Sequence, residues 1–240
     1  MIAERLLGNW VWRDYQEIDS TNNLAKAQSL AFDGRPVVYT AVVQTAGRGR
    51  LGRSWISRPG NLFMSQLFCP RLPVSDLVFI TSVSVAETIG SLTSGLDIAI
   101  KWPNDVLIAG AKICGILIES ADNETVVIGT GVNLISAPPA GQLIYPAADL
   151  RSLGFDISRE VFLAAYLRHF DANLELCRRQ GFSAIRKTWL KYAYRLGEPV
   201  KINHGGRVLE GIFKGIDEQG FLLLKQDEKT IKITVGDLLA

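Results

Sequence analysis

Three glycines and three arginines alternate in Gln44-Thr45-Ala46-Gly47-Arg48-Gly49-Arg50-Leu51-Gly52-Arg53-Ser54-Trp55, and an aromatic ring closes the series. Glycine lets a backbone turn through positive φ and approach a ligand closely, while a guanidinium forks onto carboxylate or phosphate oxygens. The chemistry this composition points to is an anion clamp. Gly47, Gly49 and Gly52 also fit a dinucleotide-binding turn, which needs a strand before it and a helix after it. Residues 37–43 supply the strand, but 54–61 is turn chemistry and 62–68 reads as another strand. No helix dipole is then in place to hold a pyrophosphate. A solvated, flexible linker is the other reading of such a loop.

Further polar groups interrupt apolar segments. Asp19-Ser20-Thr21-Asn22 follows a strand and precedes helical spacing at Leu24, Ala27 and Leu30, so Ser20 or Thr21 can cap the helix and the remaining groups can meet a ligand. Gln44 ends an apolar strand beside the clamp. Lys101-Trp102-Pro103-Asn104-Asp105 is a tight turn. Lys112 opens a run of apolar or small residues, so its ammonium either snorkels to water or faces an anion, and Gly115 within that run suggests a close approach. Gly129-Thr130-Gly131-Val132-Asn133 offers a surface on which a flat ring could lie.

The elements that must position these groups follow from periodicity. Strands are expected at Trp10–Ile18, 37–43, 62–68, Ile98–Lys101, 106–108, 112–119 and 125–134, the last four as a meander with turns at Gly110 and Asp122-Asn123. A helix capped by Ser75 carries Val78, Val83 and Ile89 and stops before Gly95. A longer one runs from a cap at Ser158 to Gly181 with Leu163, Leu167, Phe170, Leu174 and Cys177 on one stripe, and a third places Ile185, Trp189 and Tyr192 inward and ends at Gly197. From Glu198 onward, short alternating strands are separated by Gly205-Gly206, 217–220 and 226–228. The expectation is an α+β fold with a mixed, largely antiparallel sheet flanked by helices over 1–195, and a small β-barrel over 196–240.

At 240 residues and 48% hydrophobic, the chain can bury one sizeable core. Twenty-six basic against twenty-four acidic side chains give +2, too balanced for binding nucleic acid mainly through its phosphates. Cys69, Cys114 and Cys177 lack metal spacing and read as packed thiols in a reducing compartment. His169 stands without a second histidine nearby, and His204 borders a turn. No stretch reads as long and apolar enough to span a membrane, no leader is evident, and a cytoplasmic location is the expectation.

Taken together, the GRGRLGRSW and KWPND motifs, the Ser-Thr-Asn segment, 112–115 and 129–133 resemble the biotin-protein ligase family, in order and across nearly the whole chain. The resemblance implies a core similar to that of class II aminoacyl-tRNA synthetases, followed by an SH3-like barrel. It also implies ATP-dependent activation of biotin as biotinyl-5′-AMP, with Mg²⁺, and transfer to a lysine of a biotin carboxyl carrier protein. Ser20, Thr21, Asn22 and Gln44 would bind the ureido group, with Gly47, Arg48, Lys112 and Gly115 near the ring and carboxylate. Arg48, Gly49, Arg50 and Arg53 would cover phosphate, Trp55 and Asn133 would meet adenine, and Asn104 or Asp105 would help hold the magnesium-bound polyphosphate. Lys112, Arg48 and Arg50 are the expected catalytic groups. Repressor-type members carry a DNA-binding domain before this core, so DNA binding is not expected; a homodimer is allowed. A lipoate or octanoate ligase or transferase of the same fold and a non-catalytic ligand-binding module are the competing readings.

Overall fold

The computed structural model describes residues 1–122, 124–139 and 146–239, so Asn123 of the expected 122–123 turn lies outside the described residues. Eight strands form the main sheet: β1 (Ala3–Leu7), β2 (Trp10–Ile18), β3 (Val37–Gln44), β4 (Leu62–Phe68), β5 (Ile98–Lys101), β6 (Asp105–Ile108), β7 (Ala111–Ser120) and β8 (Val126–Val132). They pair in the order β1-β2-β3-β4-β8-β7-β6-β5. Four helices are α1 (Thr21–Gln28), α2 (Val74–Leu92), α3 (Arg159–Gln180) and α4 (Phe182–Tyr192).

Among the strands of the described residues only β2 and β3 pair in parallel, with α1 crossing between them, and Ile18 lies opposite Gln44 in that register. Parallel neighbours end on the same side of a sheet. The segment leaving β2, Asp19 to Asn22, is therefore delivered beside the segment leaving β3, Gln44 to Trp55. The antiparallel pairing of β3 with β4 excludes the dinucleotide-binding topology.

Alternation divides the sheet into two faces. On β8, Ile128 and Val132 join the large core beneath α2, α3 and α4, whereas Val127 packs with Ala25, Tyr39 and Leu67 on the side that carries α1. Gly129 and Gly131 share that second face, where Asn22 and Trp55 meet them. The helix side holds an edge-to-face aromatic cluster, Trp10 against Phe68 at 5.5 Å and Phe170 at 6.0 Å. At the start of α3, Arg159 donates to buried Asp14 at 3.0 Å and to the Ala41 carbonyl at 3.0 Å, while Thr40 donates to the other Asp14 oxygen at 2.6 Å.

Several elements differ from expectation. The edge strand β1 had no signal beyond weak alternation, and three of its five residues are exposed. The residue in the cap position of α2 is Pro73, and the Ser75 hydroxyl instead donates to Asp76 at 3.2 Å. The Asp76 amide donates to the Pro73 carbonyl at 3.0 Å, so backbone rather than a side-chain cap meets that amide of the first turn. Leu30, expected on the inner stripe of the first helix, is 96% exposed because that helix tightens to a 3-10 turn at Ser29–Ala31. The last helix ends at Tyr192 rather than Gly197, which lies in the following turn at φ 84°. By length and composition α2 could cross a membrane, contrary to expectation, but it is mostly buried in the core.

A second sheet follows: β9 (Pro199–His204), β10 (Arg207–Ile216), β11 (Leu222–Gln226), β12 (Lys229–Ile233) and β13 (Asp237–Leu239). It is antiparallel throughout, in the order β12-β11-β10-β9-β13, and answers to the expected C-terminal barrel as far as this sheet. Phe213, Ile216 and Leu222 belong to the same buried cluster as α2 and α4. The Trp102 indole donates to the Gly220 carbonyl at 3.0 Å and Arg186 donates to that of Ile216 at 2.7 Å, which fixes this sheet to the main body.

Candidate functional site

The α1 face of the main sheet holds a cleft of about 360 Å³, bounded by the start of α1, the Gly/Arg hairpin, β7 and β8. Its first end is lined by uncharged polar groups. Ser20 accepts from the Asn23 amide as the N-cap of α1, which turns Thr21 and Asn22 inward. Gln44 accepts from the Thr21 amide at 2.8 Å and from its hydroxyl at 3.0 Å, and donates to Ser57 at 3.2 Å. Ser65, fully buried on β4, lies 2.8 Å from the Thr21 hydroxyl and 2.5 Å from Asn22 Oδ1. Asn22 donates to Glu119 at 2.8 Å.

Glu119 is also the counter-charge of this end, 3.1 Å from Lys26 and 3.4 Å from Arg48. Burial raises its pKa, but hydrogen bonds from Asn22 and Lys26 and the charge of Arg48 outweigh burial and leave it below the ordinary carboxylate value. Arg48 donates to Asn23 at 2.6 Å, and so lies along the polar end of the cleft.

The opposite end is cationic. Lys112 Nζ is 2.6 Å from Asp105 Oδ1, a charge contact rather than an aligned hydrogen bond, since that oxygen makes none. Arg50 donates to Asn104 Oδ1 at 3.0 Å and lies 3.3 Å from Asp237, and Arg53 is 3.0 Å from the same carboxylate. Lys101 is buried beside them; burial lowers its pKa, the carboxylates of Asp105 and Asp237 act against that, and Lys112 and Arg53 reinforce it.

A bulge places Lys112. In β6 and β7, Leu107 pairs with Lys112 but Val106 pairs with Cys114, so Ile113 is an extra residue. Strict alternation would put Lys112 and Gly115 on opposite faces; the bulge turns both toward the cleft and leaves Ile113 and Cys114 in the core.

The glycines of the clamp serve different ends. A β-carbon at Gly47 would come within 2.7 Å of the Trp55 carbonyl, and Gly52 has φ 71°. Gly49 is extended, with room for a side chain, and the left-handed residue beside Gly52 is Leu51 at φ 55°. The loop is a hairpin closed by Gly49 N to Arg53 O at 2.7 Å and Trp55 N to Gly47 O at 2.9 Å. It returns Trp55 to the sheet, where a β-carbon at Gly115 or Gly131 would stand 2.8 or 2.5 Å from its ring. The flat ring expected over 129–133 is thus the protein's own indole at Gly131, with Asn22 occupying the space over Gly129. Trp55 Nε1 is buried and makes no hydrogen bond among the described residues, and Lys112 lies 5.5 Å from the ring centre. Asn133 donates to the Ala148 carbonyl at 3.1 Å.

A family model described as the biotin/lipoate A/B protein ligase family matches residues 15–133, and one described as the biotin protein ligase C terminal domain matches 196–238. The biotin--[acetyl-CoA-carboxylase] ligase of Paracoccus denitrificans is 36% identical, covering 86% of this chain and 91% of the relative. The chain belongs to the biotin protein ligase family. The bifunctional ligase/repressor BirA of Escherichia coli is 34% identical to this ligase over 78% of the chain, which spans 61% of BirA's length. The biotin protein ligase of Aquifex aeolicus, solved with biotin and ATP, superposes with a TM-score of 0.84 at 28% identity, covering 96% of this chain and 97% of that one.

All the site residues expected from this ligase's sequence border the cleft except Gly47, which shapes its hairpin. Arg48 and Arg50, expected to act together, diverge to its two ends. Sequence reasoning missed Ser65, Glu119, Lys26 and Asp237, and read Lys101 only as part of a turn motif. A serine inside a buried strand with only Gln66 as its other polar residue was a legible signal for Ser65; Glu119, Lys26 and Asp237 depend on partners far away in the chain. Asn61 was also missed: buried, its Oδ1 accepts from the amides of Leu134, Ile135 and Ser136 at 3.0, 3.0 and 3.2 Å and fixes the segment after Asn133.

Among the described residues no three His, Cys, Asp or Glu side chains gather to hold a metal. Both ends of the Asn104 amide are engaged, by Arg50 and by the Ile116 carbonyl. Asp105 is the carboxylate facing the cationic end. This donor set fits magnesium carried mainly by substrate phosphates, for which one or two carboxylates suffice.

Proposed function

We propose that this cleft joins biotin to ATP as biotinyl-5′-AMP and then passes the biotinyl group to a lysine of a biotin carboxyl carrier protein in the cytoplasm. The observation that carries the reading is Lys112, whose ammonium lies at the cationic end of a cleft whose other end is lined by the polar groups of 20–22 and Gln44. A carboxylate oxygen bonds to the α-phosphorus as its bond to the bridging oxygen breaks, and pyrophosphate leaves. The carrier amine then bonds to the acyl carbon, AMP leaves with the electron pair, and the amine gives up a proton.

Ser20, Thr21, Asn22 and Gln44 hold the ureido group, with Gly47, Arg48 and Gly115 along the ring and carboxylate. Gly49, Arg50 and Arg53 take the phosphates, while Trp55 and Asn133 face adenine. Lys112 neutralises both reacting anions. Asp105 would hold magnesium, which when bound withdraws charge from the departing polyphosphate. Exchange of labelled pyrophosphate into ATP should depend on biotin; exchange driven instead by lipoate or octanoate would overturn the assignment, and no exchange with any acid would leave a binding module.

The hairpin closes over the adenylate and shields it from water. Trypsin cleavage within 48–53 should slow when biotin and ATP are added; equal rates with and without them would refute closure.

Glu119 positions Asn22 and Arg48. Its pKa lies below the ordinary 4.5, so its charge is complete above that pH and lost as pH falls through the lowered value. Biotin affinity should hold steady from neutral pH down to about 5 and fall in more acid solution, and Glu119→Gln should weaken binding at neutral pH by about tenfold, the scale of one charged hydrogen bond. Titration calorimetry across pH checks both; an acid decline that persists in Glu119→Gln would place the titrating group elsewhere.

A further inference from the structure

The C-terminal sheet reaches two arginines of the cleft through the Asp237 side chain. Asp237 opens β13, which pairs with β9, and its two oxygens divide between the guanidinium groups of the hairpin: Oδ1 is 3.3 Å from Arg50 and Oδ2 3.0 Å from Arg53. The Asp237 and Arg50 side chains are about one-fifth exposed, so solvent screens this contact less than it would at an open surface. The sheet that carries Asp237 is fixed to the main body by Trp102, Arg186 and a shared apolar core, and so presents its carboxylate from a rigid support.

Arg50 and Arg53 lie three residues apart on a hairpin whose tip, Leu51, is exposed and left-handed. Two cations so close repel one another, and their long side chains have many rotamers to lose on binding an anion. A carboxylate shared between them removes the repulsion and selects one arrangement before the nucleotide arrives. Asn104 completes it by accepting from Arg50 on the sheet side.

We propose that Asp237 is a positioning residue for the adenylation step, holding Arg50 and Arg53 in the arrangement that receives the ATP polyphosphate. The C-terminal sheet is thereby part of the nucleotide site while contributing nothing to the biotin end, where Arg48 has its own carboxylate in Glu119. This rests on the adenylation reading above.

The test compares the full-length protein with Asp237→Asn, Asp237→Ala and Asp237→Glu by biotin-dependent pyrophosphate exchange at saturating magnesium. KM for ATP should rise about tenfold in Asp237→Ala and less in Asp237→Asn, with the KM for biotin within twofold and thermal melting unchanged. Asp237→Glu, which restores the charge, should recover part of the loss. Trypsin should cut the ligand-free hairpin faster in Asp237→Ala than in the parent. An unchanged KM for ATP overturns the proposal, as does a tighter one, which would make the carboxylate a competitor of phosphate. A defect that appears at limiting magnesium and vanishes at saturation overturns it too, since Asp237 would then be a metal ligand. Absence of exchange in the parent protein would defeat the adenylation reading itself, a result separable from failure of the Asp237 variants.

Discussion

Lys112→Ala should lower the rate of biotin adenylation by about 10²- to 10³-fold, the scale set by losing one preorganised charge stabiliser. The reaction brings a carboxylate against a phosphate, and two unit charges about 4 Å apart at an effective dielectric near 20 repel by about 4 kcal/mol. In the proposed mechanism Lys112 removes that repulsion: it is on the cleft face, beside Gly115, with Asp105 at 2.6 Å. Biotin-dependent pyrophosphate exchange measures the loss, and circular dichroism checks that the fold survives. Turnover unchanged in this variant would remove Lys112 from the mechanism.

Arg159→Ala should destabilise the protein by about 3–5 kcal/mol, because it leaves the buried Asp14 carboxylate without its cation. Asp14 is 6% exposed, and Arg159 serves it and the Ala41 carbonyl together, tying the start of α3 to β2 and β3. For a chain of this size the loss corresponds to a fall in melting temperature of about 6–20 °C. Converting the pair together, Asp14→Leu with Arg159→Met, should recover most of it, since matched apolar groups need no partner. A single variant that melts with the parent would show that Asp14 finds water or another donor.

Much of this architecture was legible because burial writes itself into residue type. The apolar residues of β4 on either side of Ser65 and Gln66, and the Leu163-Leu167-Phe170-Leu174-Cys177 stripe of α3, are of types that belong in a core, and all of these side chains are buried. β1 was illegible for the opposite reason: it is an edge whose hydrogen bonds need no inward pattern, and Arg5 lies 3.9 Å over the Trp12 ring to cover it. In the site, types were readable where chemistry demands them, as in the amides and hydroxyls of 20–22 and the arginines of the hairpin. Partnerships were not. Arg48 is 71 residues from Glu119 and Arg53 is 184 from Asp237, and nothing local distinguishes which carboxylate each guanidinium meets. The glycine spacing also misled in part, because Gly49 occupies backbone that other residues adopt, while Gly52 shares the left-handed corner with Leu51.

The extra residue in β7 makes the placement of the Lys112 amine a matter of counting. Any apolar side chain that fills the space of Ile113 would serve, so Ile113→Val leaves the geometry intact. Giving it a partner, by inserting one residue between Val106 and Leu107, would restore an even rhythm to β7 and send the ammonium through to the oily side of the sheet, with every other component of the cleft still present.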